Sequence, residues 1–279
     1  MGVLLVGLLL IELILAIFVS YLLLLTLVAW RQARKVQPVS APPVSRFLIL
    51  VPAHNEEKLL PELLHNLSEV DYPSDLLAVH VVADNCTDET AVITRQFGAY
   101  AHERFDKDRP GKGYALQWFL QTNWQEIEAH DAVIMLDADT IISPNFLQAM
   151  SARVQQGERV IQSYYAVRNP GRAWAIALRY AALAVLHYLR PLGRTALGGS
   201  AGLKGNGMVF TTDILRQYEW SESITEDIEF HMALILGGTG DVCPRSYHLG
   251  RNAGYPGRGC HPKCALGARP AANDAYLCT

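Results

Sequence analysis

The chain has 279 residues, half of them apolar, and a formal net charge of −3. That length can bury one sizeable core or two small ones. A slightly acidic balance offers no basic surface for nucleic acid, so no nucleic-acid partner is expected.

From Val3 to Trp30 the run VLLVGLLLIELILAIFVSYLLLLTLVAW is apolar except for Gly7, Glu12, Ser20, Tyr21 and Thr26. As a helix it can cross a hydrocarbon core of roughly 30 Å. It reads as an anchor rather than a signal peptide, because the run is too long, no basic segment precedes it and no small-residue cleavage site follows. Arg31, Arg34 and Lys35 come directly after it. By the positive-inside rule everything C-terminal of the run is expected on the cytoplasmic side of the cell (inner) membrane. Glu12, if ionised at mid-membrane, costs a few kcal/mol, so protonation or a helix partner is expected there. Residues 31–45 read as a basic, proline-rich linker, and 46–238 as the main folded domain.

That domain alternates two periods. FLILVPAH is a buried-strand run, NEEKLLPELLHNLSEV has helical spacing, LAVHVVADN is a second strand and TDETAVITRQF a second helix. DAVIMLDAD is a third strand, followed by SPNFLQAMSARVQQ, a helix opened by Ser143 and Pro144. Such alternation predicts an α/β fold with a mostly parallel sheet flanked by helices. The stretch Arg172–Leu192 is apolar but carries Arg179, His187 and Arg190, and reads as an amphipathic helix against membrane or core rather than a second span.

In open parallel sheets ligands bind beyond the carboxyl ends of the strands. Three strand ends deliver polar groups there: His54-Asn55-Glu56-Glu57, Asp84-Asn85 and Asp137-Ala138-Asp139. One Asp after a strand is ordinarily a helix cap. Three such ends at one edge point to a site. An extended backbone would send Asp137 and Asp139 to the same side, where a hard divalent cation can relieve their repulsion while keeping waters and adding substrate phosphates. Arg109–Leu116, RPGKGYAL, is either a solvated turn or a cationic loop that approaches phosphate. It lacks the spacing of a Walker loop, so an NTPase is not supported. Five glycines fall between Gly198 and Gly207, which suits a loop that moves or that a ligand approaches closely. Thr225-Glu226-Asp227 opens the helical stretch DIEFHMALIL and is also compatible with a plain N-cap.

VPAHNEE, VVADNCTDET, GKGYAL, LDADT, GNGMVF and ITED, in this order between residues 51 and 227, resemble the family 2 glycosyltransferases. These are inverting enzymes with the nucleotide-diphosphosugar-binding GT-A fold, many of them membrane-bound polysaccharide or glycolipid synthases. The resemblance implies a nucleotide-sugar donor, with UDP-glucose or UDP-N-acetylglucosamine foremost, a glycan or lipid acceptor, and Mg²⁺ or Mn²⁺. It implies that Pro52, Ala53 and Glu56 line the base, that Asp84 bonds the uracil or ribose, and that Lys112 lies near the diphosphate or base. Asp137 would contact the donor sugar or ribose, and Asp139, with Asp137, would hold the metal. Asp227 would be the general base with Glu226 beside it as the second catalytic carboxylate, and Gly205 and Asn206 would form the acceptor side. Cys86 reads as a small loop filler. A sugar nucleotidyltransferase shares the general fold, but a glycine- and arginine-rich N-terminal phosphate loop is expected of it, and VPAHNEE is not one. A non-catalytic membrane remnant that binds nucleotide-sugar only, or a scaffold with a zinc knuckle, are the other readings.

The tail, 239–279, departs from the family. A FAPEA-like strand, a Q-x-x-R-W motif and further membrane helices are expected there, and the segment is too poor in large apolar residues to build them. Shifting the reading frame by one base permits QNARWER across Pro262–Arg269 and FAPEA from Val242. A frame change near 238–241 is therefore expected to have replaced the C-terminus with a disordered tail, leaving donor binding intact and transfer severely weakened. Cys260, His261 and Cys264 have a metal-like local spacing, but no fourth ligand stands at a recognisable distance among Cys243, His248 and Cys278.

Overall fold

The computed structural model describes residues 2–34, 41–167, 171, 173–223 and 225–237. The expectations for the tail, including Cys260, His261 and Cys264, lie outside the described residues. Ten α-helices and six strands are defined among the described residues.

The apolar run is a single helix, α1 (Gly2–Ala33), the one described helix long and apolar enough to cross a membrane. Strands β1 (Phe47–Ala53), β2 (Leu77–Asp84), β3 (Tyr100–Arg104), β4 (Ala132–Met135), β5 (Val160–Gln162) and β6 (Met208–Thr211) form one sheet in the order β3-β2-β1-β4-β6-β5. The pairs β1–β2, β1–β4 and β2–β3 are parallel, whereas β6 runs antiparallel to both β4 and β5. Five strands thus share one direction and β6 opposes them.

The central strands are apolar at successive positions because both faces are covered. In β1, Leu48 and Leu50 enter a core shared with Ala115, Leu116 and Phe119 of α4 (Lys112–Thr122), Ile127 of α5 (Trp124–Glu128), Ile214 of α9 (Thr212–Gln217) and Phe230 of α10 (Glu226–Leu236). The alternate residues Phe47, Ile49 and Val51 face Leu60, Leu63 and Leu67 of α2 (Leu60–Ser68) and Phe146, Leu147 and Met150 of α6 (Phe146–Gln155). The period-two alternation of one strand therefore feeds two separate cores, with the sheet as the middle layer.

Local departures have local causes. The first soluble helix starts at Leu60 rather than near Asn55, with a proline in its first turn and with Asn55 in the left-handed region at φ 56°. Ser143 and Pro144 precede α6 instead of opening it. Asn145 is the capping position, Ser143 and Asn145 bond through their side chains at 3.0 Å, and the Pro144 carbonyl accepts the Asp71 amide. After α3 (Thr90–Gln96) the edge strand β3, YAHER, reads as polar because it is mostly unburied. Strand β5 is only three residues long, and β6 was concealed behind the glycine loop. The stretch from Arg172 resolves into α7 (Trp174–Leu183), a π-helical segment (Ala184–Leu189) and α8 (Arg190–Ala196).

Between β2 and β3, His80 is 2% exposed, stacked on Tyr100 at 4.7 Å and on His102 at 5.2 Å, with the edge of Phe119 at 5.4 Å. Its Nδ1 and His102 Nε2 share a hydrogen bond of 3.0 Å, and its Nε2, which makes no hydrogen bond, lies 3.8 Å from Glu126 Oε1. Burial, reinforced by His102 and His130, lowers its pKa from 6.5 to about 3. The fold therefore holds His80 neutral, while the unfolded chain protonates it near the ordinary value. Its contribution to stability is complete above about pH 6.5 and is lost progressively as pH falls from there toward 3. His80→Phe is expected to flatten the decline of the thermal midpoint between pH 7 and pH 4, measured by circular dichroism; an unchanged slope would count against this assignment.

Candidate active site

The parallel strands β2, β1 and β4 end side by side, so the residues that follow them collect at one edge of the sheet. These loops are stitched together by asparagines in left-handed backbone conformations, which Asn tolerates better than most residues. Asn55 accepts the Thr87 amide through Oδ1 at 2.8 Å. Asn85, at φ 50°, accepts the Asp106 amide and donates to the Asp106 carbonyl, each at 2.9 Å. His54 Nδ1 donates to the Asp84 carbonyl at 2.7 Å, the Glu56 amide donates to Thr90 Oγ1 at 2.9 Å, and Cys86 Sγ accepts the Asn55 amide at 3.3 Å. Cys86 is thus a bonded loop residue, as its sequence context suggested.

Between these loops and the start of α4 lies a cleft of about 400 Å³ lined by Pro52, Ala53, His54, Glu56, Asp84, Gly111 and Lys112, among others. That volume falls in the ordinary range for small-ligand sites. Asp84 is 3% exposed. Its Oδ1 accepts from Arg104 Nη1 at 2.6 Å and from Asn85 at 3.2 Å, and its Oδ2 accepts the Gly111 amide at 3.2 Å. Arg104, itself buried, reaches Asp106 with its other arm at 2.9 Å. Glu56 has its pKa raised by burial first and then by Asp139 and Asp88, which places Glu56 and the second Asp of the D-x-D pair in one electrostatic field.

The D-x-D segment is a turn and not the extended backbone expected from its spacing. The Thr140 amide donates back to the Asp137 carbonyl at 3.0 Å, and Asn206 clamps the turn by accepting from the Asp137 amide at 3.1 Å and donating to Thr140 Oγ1 at 2.9 Å. Asp139 is left exposed and Asp137 half-buried. Lys112, the first residue of α4, donates to Asp137 Oδ1 at 2.5 Å and to the Gly205 carbonyl. Gly205 has φ 75°, and a Cβ placed on it would lie 3.5 Å from Asp227 Oδ2 and 3.8 Å from Lys112 Nζ. One lysine thereby joins the D-x-D turn to the glycine loop, which passes close to Asp227 at the head of α10.

On α10, Glu226 is 6% exposed and its pKa is raised, chiefly by burial, with Asp227 and Asp137 adding to the rise and Lys112 opposing it. Asp227 is partly exposed and accepts the Ile228 amide at 2.9 Å. Thr225 occupies the expected cap position, but its hydroxyl bonds Glu229 instead of capping the helix. Sequence reasoning did not single out Arg104 or Tyr165. The Tyr165 phenol has its pKa raised by burial and then by Asp137 and Asp227, which places it beside both carboxylates. Nothing in AHERFD or QSYYAV marks either residue: Arg104 takes its place through the pairing of β3 with β2, and Tyr165 lies in the irregular segment after β5.

Among the described residues no group of three or more His, Cys, Asp or Glu could hold a metal by itself. A divalent ion of the magnesium type needs only one or two carboxylates when substrate phosphates complete its shell. The exposed Asp139 beside Asp137 on one turn fits that donor set.

An α/β sheet with its polar groups gathered where parallel strands end, and with an antiparallel β6 inserted beside β4, is the architecture of the GT-A nucleotide-sugar transferases. The chain belongs to glycosyltransferase family 2: the family's sequence profile, described as "Glycosyltransferase like family 2", matches residues 42–241. It is similar to the beta-monoglucosyldiacylglycerol synthase of Nostoc sp. (strain PCC 7120 / SAG 25.82 / UTEX 2576), 28% identical over 201 residues, which cover 67% of this chain and 41% of that protein. It is also similar to the 4,4'-diaponeurosporenoate glycosyltransferase of Staphylococcus aureus (strain MRSA252), 32% identical over 117 residues, covering 41% of this chain and 30% of that protein. The chain therefore spans less than half the length of these curated relatives. Among solved structures, a mannosyltransferase from Pyrobaculum calidifontis in complex with GDP-Man and Mn²⁺ shares the fold with a TM-score of 0.55 at 21% identity, over 84% of this chain and 65% of that one.

Removing Arg104 would strand the buried Asp84 carboxylate, and losing one partner of a buried pair costs about 3–5 kcal/mol. Arg104→Met is expected to destabilise the fold by that order in chemical denaturation, and adding Asp84→Leu to restore much of the loss. Equal instability of the single and double variants would show that the pair is not the source.

Proposed function

We propose that the chain is an inverting glycosyltransferase that moves a sugar, glucose or N-acetylglucosamine, from a UDP-sugar to a glycan or lipid acceptor at the cytoplasmic face of the inner membrane. The observation that carries this reading is the junction at Lys112, where Asp137 and the Gly205 carbonyl meet, with Asp227 beside Gly205, next to the cleft at the strand ends. The name of the Nostoc relative, a beta-monoglucosyldiacylglycerol synthase, supports glucose as the sugar and a lipid as the acceptor.

In this reading Pro52, Ala53 and Glu56 form the base side of the cleft. Asp84, oriented by Arg104 and Gly111, keeps lone pairs for the uracil or ribose. Asp137 faces the donor sugar or ribose, and Lys112 supplies positive charge where the diphosphate departs. Mg²⁺ or Mn²⁺ held by Asp139 and Asp137 would neutralise further leaving-group charge. Asp227 takes the proton of the acceptor hydroxyl as the acceptor oxygen attacks the anomeric carbon and the bond to the diphosphate breaks on the opposite face. That in-line displacement inverts the carbon without a covalent enzyme intermediate. Glu226, buried beside it in the first turn of α10, is the second carboxylate of the pair. Asn206 serves the acceptor side indirectly, because its amide is engaged by the D-x-D turn and so holds Gly205 opposite Asp227.

A second reading is a remnant that binds donor but does not transfer, which the altered tail favours. UDP release from UDP-glucose and UDP-N-acetylglucosamine, together with calorimetric donor binding under Mn²⁺ titration, separates the two. Asp227→Asn is expected to lower turnover by about 10²–10⁴-fold with donor affinity unchanged, whereas Asp139→Asn is expected to abolish the metal dependence of donor binding. Donor binding without turnover by the parent chain would favour the remnant, and absence of both would sink the proposal.

A further inference from the structure

Helix α7 poses a packing problem. None of its ten residues is buried, Trp174 is 81% exposed and Leu178 63%, and the following π segment exposes Val185 and Leu186. Its outward apolar face, open to water, gains nothing from tertiary burial, which is what stabilises most helices. Its continuation, by contrast, is firmly seated. In α8, Pro191, Leu192, Gly193 and Thr195 are buried, and a Cβ on Gly193 would sit 2.4 Å from the Leu25 carbonyl oxygen of α1. Leu25 and Ala29 are correspondingly the two buried residues of α1. The exposed helix is therefore tied to the apolar anchor near that anchor's C-terminal, basic end.

A second apolar stripe lies on α10. Ile228, Met232, Ile235 and Leu236 follow helical spacing and are 55%, 47%, 44% and 78% exposed, while Phe230 and Leu234 on the opposite side are buried. The two stripes belong to one body, because Tyr180 of α7, Tyr188 of the π segment and Phe230 and Leu234 of α10 pack on the same core. His231 of α10 also bonds Ser200, just beyond α8, at 2.7 Å. Arg179 of α7 is exposed, which suits an anionic headgroup layer.

We propose that the exposed faces of α7, the π segment and α10 rest in the headgroup–acyl boundary of a phospholipid bilayer, in continuity with α1. The occupant of this surface is lipid. Tryptophan is favoured at that depth and arginine stems extend toward the headgroups. Because Asp227 precedes Ile228 at the head of the α10 stripe, the same placement sets the active-site carboxylates at the lipid–water boundary. The surface stands independently of the donor assignment, since its test involves no nucleotide.

The full chain reconstituted in phosphatidylcholine–phosphatidylglycerol vesicles, with the phosphatidylcholine brominated near its headgroup, provides the experiment. The fluorescence lost in Trp174→Phe relative to wild type isolates Trp174, and Met232→Trp reports on α10. Trp220, 3% exposed, isolated through Trp220→Phe, is the buried standard. Both positions are surface sites, so neither change threatens folding. Quenching of the Trp174 and Met232→Trp signals at least severalfold stronger than that of Trp220 is the expected result. Quenching no stronger than that of Trp220 at either position overturns the proposal, whether the shield is a second copy, residues 238–279 or water.

Discussion

Lys112 sits where carboxylates from three parts of the chain converge. Asp137 comes from the end of β4, Asp227 and Glu226 from the head of α10, and Glu56 and Asp139 complete the negative field over the cleft. Like charges this close raise one another's proton affinity and push their loops apart unless a cation intervenes. The lysine meets that need with an ion pair to Asp137 and a bond to the Gly205 carbonyl, and so links α4, the D-x-D turn and the glycine loop. Among the described residues Glu56, Asp139, Glu226 and Asp227 make no ion pair. A diphosphate with a divalent ion is a partner that such a field can hold, because the ion brings the missing positive charge and the phosphates occupy the lysine.

Around that centre, rigidity comes from hydrogen bonds between loops rather than from apolar packing. Asn55, Asn85 and Asn206 each use a side-chain amide to tie one strand end to another. The Asp84–Arg104 pair does the same from β2 to β3. An ion pair as buried as this one is a weak source of net stability, since desolvation offsets much of its attraction. Its value is positional: it points the Asp84 oxygens at the Gly111 amide and so places the start of α4, on which Lys112 stands.

Much of this was legible in the residues. The three apolar strands with polar ends, the glycine before Lys112 and the acids opening α10 all appear where the pattern put them, because local periodicity and strand-end chemistry are written in adjacent positions. What escaped were features made by distant pairing. Strand β6 hides behind five glycines, and only its antiparallel register against β4 turns GNGMVF into a strand. The D-x-D segment reads as extended from spacing alone, and the Asn206 clamp from sixty-nine residues away bends it into a turn. Arg104 looks like any charged residue on an edge strand until β3 pairs with β2.

The seating of α8 on α1 has a bearing on what counts as the folded unit. Gly193 is the only residue type that lets the Leu25 carbonyl approach so closely, and Leu192 beside it is 1% exposed. A fragment starting after the linker would uncover Pro191, Leu192 and Thr195 together with the glycine groove. The apolar helix is thus a wall of the domain, and its boundary with the rest of the chain runs through a packed contact.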